Sequence, residues 1–296
     1  MFAAFIPIWA LTLIGYVAGR FRLIGEDADR VLGGFVFHIA MPAALFTTLS
    51  RTRLSVSGPG IAVFAASTVI TMFAGYLLSR RLFDRKPGES LLGGMSAGYV
   101  NSANLGIPVA LHVLGNASFL TGVLLFQVLV VTPVILASLD SGLRLRRLVT
   151  LPLRNPVILG LAAGAACSIT GWRPPPVVAD PLALLGAAAV PTALVALGLS
   201  LNVRGPAMAG RTEVFALSAL KLAGQPLVAY ALGALIALPA ADLRSLVVCA
   251  ALPTAQNVYI FAREYGQAEA VTRWTVLAGT ALSMATLAVA DWLLST

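Results

Sequence analysis

Two short polar runs stand inside otherwise apolar stretches of this 296-residue chain: Asn101-Ser-Ala-Asn104-Leu-Gly-Ile-Pro108 and Pro253-Thr-Ala-Gln-Asn257. In lipid no water satisfies a freed backbone group, so a helix broken there must be shielded by protein or line a cavity. Proline removes a donor and clashes with the preceding turn. Asparagine suits a helix N-cap. If both runs break their helices, each restarted half-helix presents an N-terminus equivalent to about half a positive charge, and two such ends together would attract an anion. The amides of Asn104 and Asn257 would add donors. One such motif alone reads equally well as a proline-kinked helix whose Asn residues bond to neighbouring helices. Two at matching depth point to a binding site, with Asn101, Asn104, Pro108, Pro253, Gln256 and Asn257 as its candidate residues.

Lys221 joins this set as the ionisable residue deep inside an apolar span. An ammonium at that depth costs several kcal/mol unless it faces a cavity or a partner. Gly224 and Gln225 share its helical face. Lys221 could balance a bound carboxylate or carry a coupling proton, or serve as a snorkelling anchor or structural ion-pair member. His38 and His112 are single histidines in apolar helices, where packing roles are commoner than function. Asp140 and Asp291 fall at span ends and form no carboxylate pair. A sodium/proton exchanger needs buried carboxylates, and the midplane offers none; Gln127, Gln225, Gln256 and backbone carbonyls are the oxygen ligands available for a coupling ion, H⁺ or Na⁺. No HExxH, CxxC or GxxxxGK[ST] run occurs, and the only two histidines lie 74 residues apart, which argues against an intramembrane enzyme, a bound cofactor and ATP as the energy source.

The elements that must carry these residues follow from composition. With 58% hydrophobic and 11% charged residues and a mean hydropathy of +0.90, the chain lies outside the soluble range, where about a quarter of residues are charged. A membrane-spanning helix needs about 20 apolar residues. Apolar spans lie at about 2–19, 31–49, 60–78, 90–113, 119–138, 155–171, 181–201, 212–237, 243–264 and 271–294, so the expected fold is all-α, ten transmembrane helices with no soluble domain. The first reads as a retained helix, since Met1–Phe5 carry no basic n-region. The net charge of +8 does not indicate nucleic acid, because the Lys/Arg sit between apolar stretches. Apart from Lys221, 15 of these 19 residues fall at odd-numbered loops and 4 at even-numbered ones. Positive residues are retained in the cytoplasm, so both termini are expected outside an inner, plasma-type membrane.

The ten spans divide as five plus five. Gly15-Tyr-Val-Ala-Gly19 in span one corresponds to Gly160-Leu-Ala-Ala-Gly164 in span six, Ala40-Met-Pro42 to Ala189-Val-Pro191, and the interrupted span four to span nine. Five is odd, so the second copy enters from the opposite side, an inverted repeat of 1–138 and 155–296 joined by a short cytoplasmic linker, 139–154. Interrupted helices at matching places in both copies are the sequence mark of a transporter's site. Gly15/Gly19, Gly160/Gly164 and Gly94/Gly98 have the four-residue spacing that lets helix backbones approach closely.

These residues resemble the auxin efflux carrier family. The Asn101–Pro108 run is similar to its Asn-rich, Gly-Pro-containing segment, and Leu252-Pro-Thr-Ala-Gln-Asn-Val-Tyr-Ile-Phe-Ala-Arg-Glu-Tyr-Gly266 to its second signature, a Pro…Asn run ending in a basic-acidic-Tyr-Gly tail. The match spans the whole chain. The resemblance implies a bile-acid symporter or sodium/proton antiporter-like fold in which helices four and nine cross at the site. It also implies a scaffold of helices one, two, six and seven, a moving bundle of three to five and eight to ten, and a homodimer through the scaffold. The matching site positions are Asn104 and Asn257, contacting a substrate carboxylate. Auxin-like, malonate-like and malate-like anions are the implied substrates. The chain departs from the plant members in lacking their long loop between halves. A secondary carrier for small organic anions is thus expected, with a cation antiporter of the same fold as the rival.

Overall fold

The computed structural model describes residues 2–25, 27–51, 58–106, 109–115, 118–141, 156–200, 202 and 210–295. Most of the expected linker and Pro108 lie outside the described residues. The chain is predominantly helical: α1 (Phe2–Arg20), α2 (Ala28–Arg51), α3 (Pro59–Leu82), α4 (Pro87–Gly98), α5 (118–141), α6 (Pro156–Thr170), α7 (Pro176–Ser200), α8 (Arg211–Leu235), α9 (Ala240–Ala250), α10 (Gln256–Glu264) and α11 (Glu269–Ser295). Two π turns, Ser102–Gly106 and Ala110–Leu114, follow α4. Among the described residues there is no strand, only one antiparallel bridge, Val100 with Thr254.

Five helical stretches are long and apolar enough to cross a membrane: Ala28–Arg51, Pro59–Leu82, Phe119–Leu139, Pro176–Leu199 and Arg211–Leu235. Their outer faces carry exposed large apolar side chains, such as Val69, Ile70 and Phe73 on α3 and Phe215 and Leu227 on α8. Water would penalise such continuous faces, whereas lipid does not. Helix α7 starts at Pro176, ahead of the expected 181, because proline fits a first turn where no N–H is needed.

Helix α1 packs along α7, α6 along α2, and α2 against α7. Separately, α3 packs along α4 and α8, α8 against α9 and α11, and α10 against α11, while α10 also meets α2 and α7. The small-residue spacings serve these seams. A Cβ on Gly15 would run into the Val195 carbonyl of α7, and one on Gly160 into the Pro42 carbonyl of α2. Gly94 approaches the Met72 backbone of α3 in the same way. Without hydrophobic drive inside lipid, such contacts supply the packing energy. Gly160→Leu should therefore force α6 off α2 at a cost of roughly 1–3 kcal/mol, read as a lower melting temperature in detergent. Ala162→Leu, on the exposed face of the same helix, should have little effect.

Candidate functional site

Both polar runs break their helices, and the breaks lie against each other. Helix α4 ends at Gly98 and the chain runs extended through Tyr99–Asn101; α9 ends at Ala250 and the chain is again extended before α10 begins at Gln256. The Asn101 N–H donates to the Pro253 carbonyl at 2.8 Å and the Ala255 N–H to the Tyr99 carbonyl at 3.1 Å. This reciprocal pair holds Val100 opposite Thr254.

The other carbonyls freed by the breaks are met by side chains from three directions. Thr254 Oγ1 donates to the Ser96 carbonyl at 2.7 Å. Gln225 Nε2 donates to the Gly98 carbonyl at 3.2 Å and to Thr68 Oγ1 at 3.1 Å. Gln127 Nε2 donates to the Val100 carbonyl at 3.1 Å. Lys221 Nζ donates to the Ala250 carbonyl at 2.8 Å. Gln127, Gln225, Thr254 and Lys221 are all fully buried. Buried backbone groups are nearly always satisfied, and here that requirement explains four polar residues at once.

Lys221 is therefore placed behind the breaks. It is absent from the cavity wall described below, and its Nζ sits on the last turn of α9, where carbonyls lack an intrahelical partner. One turn along α8, Gln225 treats the end of α4 in the same manner. Both residues flank or occupy a π turn, Leu220–Gly224; Gln127 starts another, Gln127–Val131. An extra residue in a turn shifts the helix face and is frequent at functional places.

In front of the breaks lies a cavity of about 110 Å³. Its walls are Tyr99, Val100, Asn101 and Ser102 from the first break, Ala255, Gln256 and Asn257 from the second, Leu124 and Val128 of α5, and residues of α2 (Val36, Met41, Ala44, Leu45, Thr48) and α7 (Ala189, Val190, Ala193). No charged side chain lines it among the described residues. In the first turn of α10 the Val258 N–H turns back to the Ala255 carbonyl at 3.2 Å, and the N-cap, Ala255, offers no side-chain bond to that turn. Asn257 is thus the second residue of α10 rather than its cap. Tyr99 hydrogen-bonds both Thr132 (2.9 Å between oxygens) and the Asn257 side chain, which orients the Asn257 amide at the cavity edge.

Of the sequence candidates, Asn101, Gln256 and Asn257 thus line one cavity. Pro253 contributes the carbonyl that accepts from Asn101. Asn104 lies in the π turn Ser102–Gly106; its side chain, like those of His112, Asp140 and Asp291, is outside the described residues. His38 is exposed on a third π turn, Val36–Ala40, with Nδ1 3.0 Å from the Gly34 carbonyl. The sequence reading missed Thr254 as a backbone cap and Tyr99 as the partner of Asn257. A polar residue beside each break was the available signal. Among the described residues no three His, Cys, Asp or Glu side chains gather as a metal set.

A family model described as "Membrane transport protein" matches residues 1–147 and 143–290. A Rhizobium meliloti (strain 1021) protein named "Putative malonate transporter" is 27% identical over 296 residues, covering 95% of this chain and 92% of its own. An uncharacterized transporter of Methanothermobacter thermautotrophicus is 27% identical over 275 residues, 88% of this chain and 87% of its own. Another, of Methanocaldococcus jannaschii, is 24% identical over 302 residues, 96% of each.

Proposed function

The chain belongs to the membrane transport protein family, the auxin efflux carrier family of its sequence resemblance, and on that premise we propose that it is a secondary carrier of small organic anions. The observation that carries the reading is the cavity at the paired breaks, an uncharged space of small-molecule size lined by Asn101 and Ser102 of the first break and by Gln256 and Asn257 at the start of α10. Such a site attracts a carboxylate by dipoles and hydrogen bonds without a fixed cation. The family name and the malonate transporter's name support the same class.

Size narrows the substrate. A cavity of about 110 Å³ is somewhat below the roughly 150 Å³ that takes up benzene in an engineered protein. A space of this size favours the smallest carboxylates, such as acetate or malonate, over a bicyclic auxin-like acid. The carrier reading takes the chain as ten membrane-spanning helices in a 5+5 inverted repeat, with α4 and the π turns as the crossing span four and α9–α10 as span nine. Helices α1, α2, α6 and α7 form the static scaffold and the homodimer face. Helices α3–α5 and α8–α11 form the bundle that carries the site from one side to the other. Both termini lie outside the inner membrane. A cysteine at Ser141 should accordingly resist impermeant maleimide in intact cells and react in inside-out vesicles; labelling in intact cells would reverse the topology.

A ligand that binds only the folded state raises stability as its concentration exceeds its dissociation constant. A panel of acetate, malonate, malate, succinate and indole-3-acetate should therefore raise the melting temperature of the detergent-solubilised protein for short carboxylates only. Stabilisation by Na⁺ alone, with none of the acids active, would favour the cation antiporter.

A further inference from the structure

The basic-acidic-Tyr tail of α10 has no part in the cavity, yet all three of its residues reach α2. Arg263 meets Asp29 at 2.8 Å, and both side chains are largely buried. The Asp29 carboxylate also accepts the Arg30 backbone N–H at 2.8 Å. Glu264 stands 3.4 Å from His38 Nε2. Tyr265 packs edge-on against Phe37, which also meets Phe261 edge-on, with ring centroids 6.3 and 6.1 Å apart. Phe37 follows Val36, a residue of the cavity wall. Along α10 these contacts lie beyond the cavity residue Asn257, and on α2 Phe37 and His38 stand beside the cavity-wall residue Val36 while Asp29 lies nearer the end where α1 turns into α2.

These contacts join the two helix groups. Asp29, Phe37 and His38 belong to α2, and Phe261, Arg263 and Glu264 to α10. Arg263 has a second carboxylate, Glu269 at the start of α11, 3.3 Å away. Glu269 lies on the same group as Arg263. A guanidinium shared this way can release Asp29 and keep a partner, so breaking the contact leaves no buried cation unpaired. His38 has acceptors at both ring nitrogens, the Gly34 carbonyl and Glu264.

We propose that Arg263–Asp29, with His38–Glu264 and the Phe37 aromatic contacts, is a latch that closes the cavity toward the α1–α2 end and must open whenever the site is presented there. This rests on the reading that the two helix groups move against each other, and goes beyond it in naming the contact that sets the resting state. Glu269 is the residue to which Arg263 transfers on opening.

The test follows accessibility and needs no substrate, so it stands even if the substrate class is wrong. A reporter cysteine is placed in the cavity wall by Ala193→Cys in the full chain, with buried Cys167 and Cys249 replaced by Ala. Impermeant maleimide labelling is timed in right-side-out and inside-out vesicles. Asp29→Asn and, separately, Glu264→Gln should speed labelling from the α1–α2 side by about two- to fivefold, the shift expected for losing one partly exposed ion pair. The charge-exchanged pair Asp29→Arg with Arg263→Asp should return it toward the parent rate. Unchanged labelling in the single variants would overturn the latch. Should those variants fail to fold, paired Asp29→Cys and Arg263→Cys substitutions decide. Oxidative cross-linking should stop labelling from that side until reductant is added, and labelling that continues in cross-linked protein would overturn the proposal.

Discussion

Asn257→Ala should raise the apparent dissociation constant for the transported carboxylate by roughly ten- to hundredfold, and Asn257→Asp should raise it further. The Ala variant removes one hydrogen bond to a charged ligand, worth about 1.5–3 kcal/mol. The Asp variant adds a negative charge beside the anion. Asn257 is only half-buried at the cavity edge, so neither change should lower the melting temperature by more than a degree or two. Tyr99→Phe is the accompanying control: it keeps the ring and frees the Asn257 amide from its orienting hydroxyl, so it should weaken binding less than Asn257→Ala. Asn104→Ala is expected to parallel Asn257→Ala by its corresponding place in the first break. Calorimetry or a thermal-shift titration measures all four. Equal affinity in the Asp variant would make Asn257 a structural residue.

The second large effect is at Lys221. From the sequence alone, Lys221→Met would leave folding intact and weaken anion uptake. The bond to the Ala250 carbonyl changes that expectation. Its loss leaves a buried helix-end carbonyl unsatisfied. An orphaned buried acceptor costs about 1–3 kcal/mol, so the melting temperature should fall by several degrees and anion affinity should drop with it, because the second break is less firmly held. Gln225→Ala should lower stability as well, since its amide holds the Gly98 carbonyl in the same way. Differential scanning fluorimetry with and without the anion separates the two effects. A Lys221→Met protein that melts like the parent would show that the cap contributes nothing.

Much of this arrangement was legible beforehand for a simple physical reason. Apolar length, Pro and Asn are local signals, and they placed the helices within a few residues and located both breaks. The small-residue seams were legible too, because a glycine every fourth residue has few uses in a membrane helix other than close approach. What the sequence hid depends on partners far along the chain. Lys221 finds a backbone carbonyl at residue 250, which no side-chain pattern announces. Asp29 and Arg263 are separated by almost the whole chain, so an ion pair between them leaves no spacing to read. The π turns at Val36–Ala40, Gln127–Val131 and Leu220–Gly224 were invisible because one extra residue changes neither hydropathy nor span length. Yet they rotate His38, Gln127 and Lys221 to the faces they use. The amide of Asn257 was rightly placed at the second break, but the cap position went to Ala255, since an extended residue before α10 needs only its backbone.

Counterflow in proteoliposomes tests the carrier reading most directly. Vesicles holding the purified full chain are loaded with unlabelled malonate and diluted into labelled malonate, with no ion gradient imposed. Transient accumulation of label above equilibrium is expected for the parent, and its absence for Ala193→Phe, which fills the cavity wall while the protein stays folded and in the membrane. Accumulation by the Ala193→Phe protein at the parent's rate, or none by the parent with any short carboxylate, would contradict an anion carrier working through this cavity.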